Sequence, residues 1–178
     1  MRIAGVVFAG GNSRRFGRDK ALELFRGVAL IGWALAALGP YVERRFVSGR
    51  LYPGHETVVD RPSGGLGPLA GLAGALQAAA GENYTHLLSL PSDAPLIPDG
   101  LMTALGKRSD GAFLQTCPVI GMWPTHFGGD LERYLAAGGD KSVLAWATKM
   151  SIQPLGGFGN ITNINYEADL ARIATSHD

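Results

Sequence analysis

The sequence predicts an α/β protein with a mostly parallel central sheet. Short apolar runs alternate along the chain with segments whose apolar residues recur at helical spacing. The run at residues 3–8 is apolar throughout, which is typical of a strand buried on both faces. At 178 residues, 46% of them apolar, the chain is long enough for a large core. We therefore expect a single domain over residues 1–178.

The elements of the first half follow from apolar spacing and from the positions of proline and glycine. Ile31, Leu35 and Leu38 recur at helical spacing, and Gly39 and Pro40 end that segment. Pro68 stands in the first turn of another apolar segment, where its missing N–H costs nothing. The predicted order is a strand at 3–8, a helix at 28–38, strands at 45–48 and 56–59, a helix at 67–80 and a strand at 84–90.

The second half continues the alternation. We expect a helix at 101–105, strands at 112–117 and 119–123, helices at 131–136 and 142–149, and a short strand at 161–164. Asp140 is predicted to cap the helix at 142–149. Asn165 is predicted to cap a final helix whose first turn carries Glu167 and Asp169, acidic residues that suit the helix dipole.

Charge and cysteine content exclude several classes of protein. The chain has 16 Lys and Arg against 15 Asp and Glu, which argues against a general nucleic-acid binder. No apolar run reaches the roughly 18 residues of a membrane span. Cys117 is the single cysteine, so neither an internal disulfide nor a cysteine-based zinc site is expected, which fits a reducing compartment. We expect a cytoplasmic protein without nucleic-acid or membrane partners.

Glycine and positive charge are concentrated in AGGNSRRFGRDK, residues 9–20, directly after the first predicted strand. A loop leaving the carboxyl end of a parallel strand is where open α/β sheets bind ligands. Gly10 and Gly11 permit a sharp turn and let backbone N–H groups approach phosphate oxygens. Arg15 and Lys20 supply the positive charge that a triphosphate requires. The segment therefore predicts a loop for a nucleoside triphosphate.

Two common phosphate loops do not match this segment. Gly11 and Gly17 are separated by six positions and are followed by Arg18, whereas a Walker A loop has two glycines five apart followed by Lys-Ser or Lys-Thr. A dinucleotide-binding fingerprint would have glycine at the position of Asn12. The predicted nucleotide loop is therefore of another kind.

Residues 8–20, FAGGNSRRFGRDK, resemble the signature LAGGxSxRMGxDK of the molybdenum cofactor guanylyltransferases, with Phe8 and Phe16 in place of other apolar residues. Four later segments resemble the family's successive blocks in the same order. They are GPLAG at 67–71, PSDAPLIP at 91–98, YLAAGGDKSV at 134–143 and NIN at 163–165. The resemblance covers nearly the whole chain, and its first block is highly specific.

This resemblance implies a fold and a reaction. The fold is a Rossmann-like three-layer α/β/α sandwich of the nucleotide-diphospho-sugar-transferase type. The reaction is a magnesium-dependent transfer of GMP from GTP to molybdopterin, with release of pyrophosphate. The implied partners are GTP, the molybdenum cofactor and either a molybdopterin-loading protein or a recipient molybdoenzyme.

The resemblance also implies roles for individual residues. The implied catalytic residues are Arg15, Lys20 and Asp93, and Asp93 is also the implied Mg²⁺ ligand, since Mg²⁺ prefers carboxylate oxygens. The implied nucleotide contacts are Phe8, Ala9, Gly10, Gly11, Ser13, Lys20, Ser48, Asp60 and Asp93. The implied acceptor contacts are Lys141, Asn163 and Asn165.

Two features favour GTP as the donor. The pairs Gly10-Gly11 and Asp19-Lys20 resemble the guanylyl branch, whereas cytidylyl relatives tend to carry Ala-Gly and Pro-Lys there. The missing β-carbon of Gly10 is expected to leave room for a purine. A carboxylate at Asp60 suits the adjacent N1–H and N2–H₂ donors of guanine, while a metal or ribose contact is an equally open role for it.

Two alternatives to a guanylyltransferase stay open from sequence. A cytidylyl or sugar-phosphate nucleotidyltransferase would use the same loop with another base or acceptor. A non-catalytic module would bind a nucleotide and deliver a cofactor to an apoenzyme. The joint presence of Arg15, Lys20 and Asp93 argues against this module, because a protein without catalysis has no chemical need for all three.

Overall fold

A sheet of seven strands forms the centre of the fold. The computed structural model describes residues 1–10, 19–166 and 168–170. In chain order the strands are β1 (Ile3–Phe8), β2 (Leu24–Phe25), β3 (Val28–Ala29), β4 (Arg44–Ser48), β5 (Glu56–Val58), β6 (His86–Pro91), β7 (Ala112–Leu114), β8 (Cys117–Pro124) and β9 (Gln153–Leu155). β2 and β3 form a separate antiparallel hairpin. The other strands follow the spatial order β5-β4-β1-β6-β8-β7-β9.

The sheet is mostly parallel, as predicted. β5, β4, β1 and β6 are parallel neighbours. β8 runs antiparallel to both of its neighbours, β6 and β7, and β9 is parallel to β7. The described sheet therefore has a parallel half, β5-β4-β1-β6, and a half that contains one reversed strand, β8-β7-β9.

Helices cover both faces of the sheet, which confirms the three-layer sandwich. The helices are α1 (Leu30–Leu38), α2 (Pro68–Gly81), α3 (Leu101–Gly106), α4 (Gly128–Ala136) and α5 (Val143–Lys149). α1 and α3 contribute to one buried cluster, and α2, α4 and α5 contribute to the other. Neighbouring residues of one strand, such as Leu87 and Leu88, belong to opposite clusters because side chains alternate across a sheet.

Aromatic packing holds the half of the sheet that contains β8. The Trp123 and Trp146 ring centroids lie 5.6 Å apart, and Phe113 stacks on Trp123 at 6.4 Å. The Trp123 indole donates a 2.7 Å hydrogen bond to the Ser89 hydroxyl, which in turn donates to the carbonyl oxygen of Val119 at 2.6 Å. Ser89 is fully buried and satisfied by these bonds, so it links β6 to β8 inside the core.

Most predicted elements are confirmed, with boundaries shifted by one to a few residues. α1 begins at Leu30 because Val28 and Ala29 pair with β2, which the sequence did not predict. The predicted strand at 161–164 is wrong, since this segment belongs to no strand or helix of the structure. β9 was not predicted. Its middle residue is Pro154, and its outer position in the sheet explains why a proline is tolerated there.

The predicted cap of α5 is also wrong. Ser142 is the N-cap residue, and its hydroxyl accepts a hydrogen bond from the Ala145 N–H. Asp140 instead accepts from the Ser142 N–H at 2.7 Å, so it supports the cap from two residues upstream. Near the C-terminus, the Asp169 carboxylate accepts from the backbone N–H groups of Asn165 and Tyr166. Glu167 lies outside the described residues.

Candidate active site

Three parallel strands end side by side at one edge of the sheet. Phe8, the last residue of β1, is in register with Ser48 at the end of β4 and with Pro91 at the end of β6. A cavity of ≈ 500 Å³ opens at this edge. Its lining includes eight of the residues predicted from sequence, namely Phe8, Ala9, Gly10, Lys20, Ser48, Asp60, Asp93 and Asn163. The carboxyl edge of the parallel half is therefore the candidate site.

Lys20 and Asp93 meet in this cavity. The Lys20 Nζ donates to Asp93 Oδ2 at 2.8 Å, and about a fifth of each side chain is exposed (20% and 24%). Lys20 also donates to Asn165 Oδ1 at 3.4 Å. The Ile164 N–H donates to the Asp93 carbonyl oxygen at 2.7 Å, which ties the segment of Asn165 to the turn after β6. The structure thus joins three predicted residues from distant parts of the chain.

Lys20 and Asp93 owe their positions to local turns. Lys20 begins a single 3₁₀ turn, Lys20–Leu22, that directly precedes the β2–β3 hairpin. Asp93 lies two residues past the end of β6, and the Ser92 N–H still bonds to the Phe8 carbonyl oxygen at 2.9 Å. The Asp93 carboxylate is therefore presented immediately beyond the last hydrogen bond between β1 and β6.

Ser48 and Asp60 both line the cavity. Burial raises the pKa of Asp60, and the Ser48 hydroxyl partly opposes that rise. Ser48 is itself buried beneath α2, where Gly71 leaves room for it: a β-carbon on Gly71 would lie 2.2 Å from the Ser48 hydroxyl. The close packing of α2 against Ser48 therefore depends on the glycine at position 71.

Gly10 lines the cavity, but its missing β-carbon makes room for another part of the backbone. A β-carbon there would lie 2.9 Å from the Cα of Gly49. Gly49 has a φ of +89°, a conformation that favours glycine. The glycine at position 10 is therefore needed for two loops to touch, and its role in leaving room for a purine stays a prediction.

Asn163 and Cys117 both line the cavity. The Oδ1 atom of Asn163 is buried without a hydrogen-bond partner among the described residues. Burial, with a smaller contribution from the Asp93 charge, raises the pKa of Cys117 to about 11. The thiol is therefore neutral near pH 7 and unsuited to nucleophilic attack. Sequence spacing gave no sign of Cys117 in the site, because its neighbours come from other strands and loops.

The remaining predicted residues fall into two groups. Lys141 lies in the turn between α4 and α5, is exposed, and is outside the lining of the cavity. Gly11, Ser13 and Arg15 lie outside the described residues.

The structure also contains an ion pair next to the site that sequence reasoning missed. Arg50, in the loop after β4, pairs with Asp19, the residue before Lys20. The two are 31 positions apart, so only the meeting of two loops reveals the pair. No spacing pattern in the chain indicates it.

Solved structures with this fold place the chain in a class. The structure is similar to molybdopterin-guanine dinucleotide biosynthesis protein A from Archaeoglobus fulgidus, with a TM-score of 0.71 and 20% identity over 95% of both chains. It is similar to 2-C-methyl-D-erythritol 4-phosphate cytidylyltransferase from Thermus thermophilus, with a TM-score of 0.68 and 17% identity over 94% of this chain and 95% of that one. The fold is that of the nucleotidyltransferases of the nucleotide-diphospho-sugar-transferase type.

Sequence comparison identifies the family. The model of the MobA-like NTP transferase domain matches residues 5–151. A molybdenum cofactor guanylyltransferase of Cereibacter sphaeroides is 32% identical over 97% of this chain and 95% of its own length. One of Rhodobacter capsulatus is 44% identical over 115 residues, which is 61% of this chain and 60% of that relative. The chain belongs to the MobA-like NTP transferase family.

Proposed function

We propose that this protein is a molybdenum cofactor guanylyltransferase that works as a single domain. It transfers GMP from GTP to molybdopterin and releases pyrophosphate. One observation carries the proposal: Lys20, Asp93 and Asn165 converge at the edge of the sheet where β1, β4 and β6 end. The names of the curated relatives support the same reaction.

The cavity has the groups that a nucleoside triphosphate requires. Lys20 supplies a compact positive charge for the phosphates, and Arg15, Gly11 and Ser13 are proposed to complete the phosphate contacts. Phe8, Ala9 and Gly10 line the same cavity. Ser48 and Asp60, on the side beneath α2, are proposed to contact the base or ribose.

Asp93 fits a divalent cation. Its carboxylate offers the hard oxygen ligands that Mg²⁺ prefers, and its Oδ2 already attracts a cation, the Lys20 ammonium at 2.8 Å. Bound there, Mg²⁺ would stabilise the negative charge that develops on the phosphates. GTP phosphates that draw Lys20 towards themselves would leave both Asp93 oxygens for the metal. Among the described residues no group of three or more His, Cys, Asp or Glu could hold a metal ion, so phosphate and water oxygens would complete the coordination.

The acceptor needs no activation by a protein base. A phosphate monoester such as that of molybdopterin is already ionised at neutral pH, so alignment with the α-phosphate and charge stabilisation are what the chain must supply. Asn163 and Asn165 are proposed to orient the acceptor. The buried, unpartnered Oδ1 of Asn163 supports this role, because a pterin presents N–H donors.

Three further features complete the proposal. Lys141, exposed between α4 and α5, is proposed to contact the acceptor phosphate. A molybdopterin-loading protein or a recipient molybdoenzyme is the proposed protein partner, and the cytoplasm is the proposed location. Among the described residues, no helix is both long and apolar enough to cross a membrane.

Nucleotide preference and pyrophosphate release test the proposed function. With Mg²⁺ present, GTP should raise the melting temperature more than CTP, ATP or UTP. A ligand at 100 times its Kd raises the free energy of unfolding by about 2.7 kcal/mol. Adding molybdopterin should then release pyrophosphate and form the guanine dinucleotide. A preference for CTP would point to a cytidylyltransferase, and GTP binding without pyrophosphate release would point to a delivery module.

A further inference from the structure

The loop after β4 contacts the chain on both sides of residues 11–18. Gly49 touches Gly10 so closely that a β-carbon on Gly49 would lie 2.3 Å from the Gly10 Cα and 2.5 Å from its nitrogen. The Ala9 N–H donates to the Ser48 carbonyl oxygen at 2.9 Å. The chain is therefore fixed against the end of β4 where it leaves β1.

The next residue, Arg50, contacts Asp19, which is the first residue after the segment 11–18. Its Nη1 lies 2.5 Å from both carboxylate oxygens of Asp19. The Arg50 side chain is 19% exposed and the Asp19 side chain is 50% exposed, so the contact is charge-assisted and open to water on the Asp19 side. The Asp19 carbonyl oxygen also accepts the Leu22 N–H at 3.1 Å, which begins the turn that contains Lys20.

Arg50 is held in place from its other side. Its carbonyl oxygen accepts a 2.9 Å hydrogen bond from the hydroxyl of Thr57, a residue of β5. Asp19 lines the cavity, whereas Arg50 is outside the lining. The guanidinium therefore acts on the site through Asp19.

We infer that Arg50 is a positioning residue, which together with Gly49 holds Gly10 and Asp19 in place and so sets where the Lys20 ammonium stands in the cavity. The inference rests on the proposed function, because it gives Lys20 a part in nucleotide binding. Displacing a lysine by a fraction of an ångström weakens each contact that it makes with the phosphates and with the transition state. The effect of losing Arg50 should therefore depend on the presence of Asp19.

A double-mutant cycle tests this dependence. Arg50→Met and Asp19→Asn should each lower kcat/KM for the nucleotide by about tenfold, and the double variant should be no worse than either single variant, because both remove the same contact. Arg50→Lys keeps one charged donor and should recover activity to within about threefold of wild type. Nucleotide Kd, measured by calorimetry, should weaken in the same order as kcat/KM.

Arg44, at the start of β4, provides a matched control. It forms an ion pair with Glu56 at 2.6 Å, and the two side chains are 44% and 49% exposed. Arg44→Met should change kcat/KM by less than about twofold, since the pair is exposed and lies outside the cavity lining. Melting temperatures of all variants show whether each one folds. If Arg50→Met fails to fold, Arg50→Lys and Asp19→Asn carry the same test.

Two outcomes would overturn the inference. In one, the effects of Arg50→Met and Asp19→Asn multiply in the double variant, which would mean that the residues act separately. In the other, Arg50→Met impairs the enzyme while Asp19→Asn does not, which would mean that Arg50 contacts the substrate itself. Either can occur while the wild type transfers GMP normally. Conversely, a wild type that prefers CTP would end the guanylyltransferase proposal, and the same cycle would then be measured with CTP.

Discussion

The two halves of the sheet differ in what their strand ends carry. In the parallel half, β1, β4 and β6 end together, and the loops beyond them supply Lys20, Asp93 and the Gly10–Gly49 contact. In the other half Trp123 and Trp146 pack together in the core. Parallel strands bring several loops to one edge, so that half has a site, whereas the other half supplies packing.

The reversal of β8 qualifies this division. Because β8 runs opposite to β6, its amino end rather than its carboxyl end lies at the edge with the cavity. Cys117 and Val119 accordingly line the cavity, although they belong to a strand of the packing half. We expect substitutions at the cavity loops to impair the reaction with little effect on folding. Substitutions beneath β8 should impair folding with little direct effect on the reaction.

The largest expected effect is on stability, in the packing half. Trp123→Ala should lower the free energy of unfolding by about 3–5 kcal/mol, because it removes a fully buried aromatic ring and leaves a cavity. Urea denaturation measures this loss. Trp33→Ala, which removes a half-buried indole packed on Phe25, should cost clearly less. Equal losses in the two variants would show that the β8 half is not the stabilising one.

The next effect is on activity, in the parallel half. Lys20→Met should lower kcat/KM by about 100-fold, close to 2.7 kcal/mol, because it removes a charge that stabilises the phosphates in the transition state. Its effect on unfolding should stay below about 1 kcal/mol, since the pair with Asp93 is partly exposed to water. Lys107→Met, at an exposed position, is the control. Wild-type turnover in Lys20→Met would show that Lys20 does not take part in the proposed reaction.

A substitution in α2 should affect both properties moderately. A β-carbon on Gly74 would lie 1.9 Å from the Val59 carbonyl oxygen, so Gly74→Ala must push α2 away from the segment that carries Asp60. We expect a loss of about 1–3 kcal/mol in stability, together with a higher KM for the nucleotide. Gly81→Ala, in the same helix with open space around it, should be nearly neutral. An unchanged KM in Gly74→Ala would show that the position of α2 does not affect nucleotide binding.

The smallest expected effect is the pH dependence that Asp60 contributes. Because burial raises its pKa in the folded state above the ordinary value of 3.8, the folded protein binds the proton more tightly than the unfolded chain. The contribution of Asp60 to stability is therefore favourable at low pH and is lost as pH rises through the raised pKa. Asp60→Asn should become more stable relative to wild type as pH increases from 4 to 7, as measured by urea denaturation at each pH. A difference that is constant over this range would show that the carboxyl is not perturbed by folding.

Much of the fold was predictable because each signal was local. The apolar run of β1 and the helical spacing in α2 appear in short stretches of sequence, and both elements are confirmed. β9 and the β2–β3 hairpin were missed, since such short strands depend on a partner for their conformation. The placement of Lys20 and Asp93 in one cavity followed from the resemblance and from the rule for parallel strand ends, and the structure brings the two side chains together.

By itself, the sequence determined the α/β class, the residues of the glycine- and arginine-rich segment, and the acidic turn after β6, because these depend on neighbours along the chain. Only the tertiary structure decided why position 10 is glycine, that Ser48 and Asp60 line one cavity, and that Arg50 meets Asp19. Each of these arrangements joins segments that are distant along the chain. Their distances are set by strand order and helix packing, which no local pattern of residues contains.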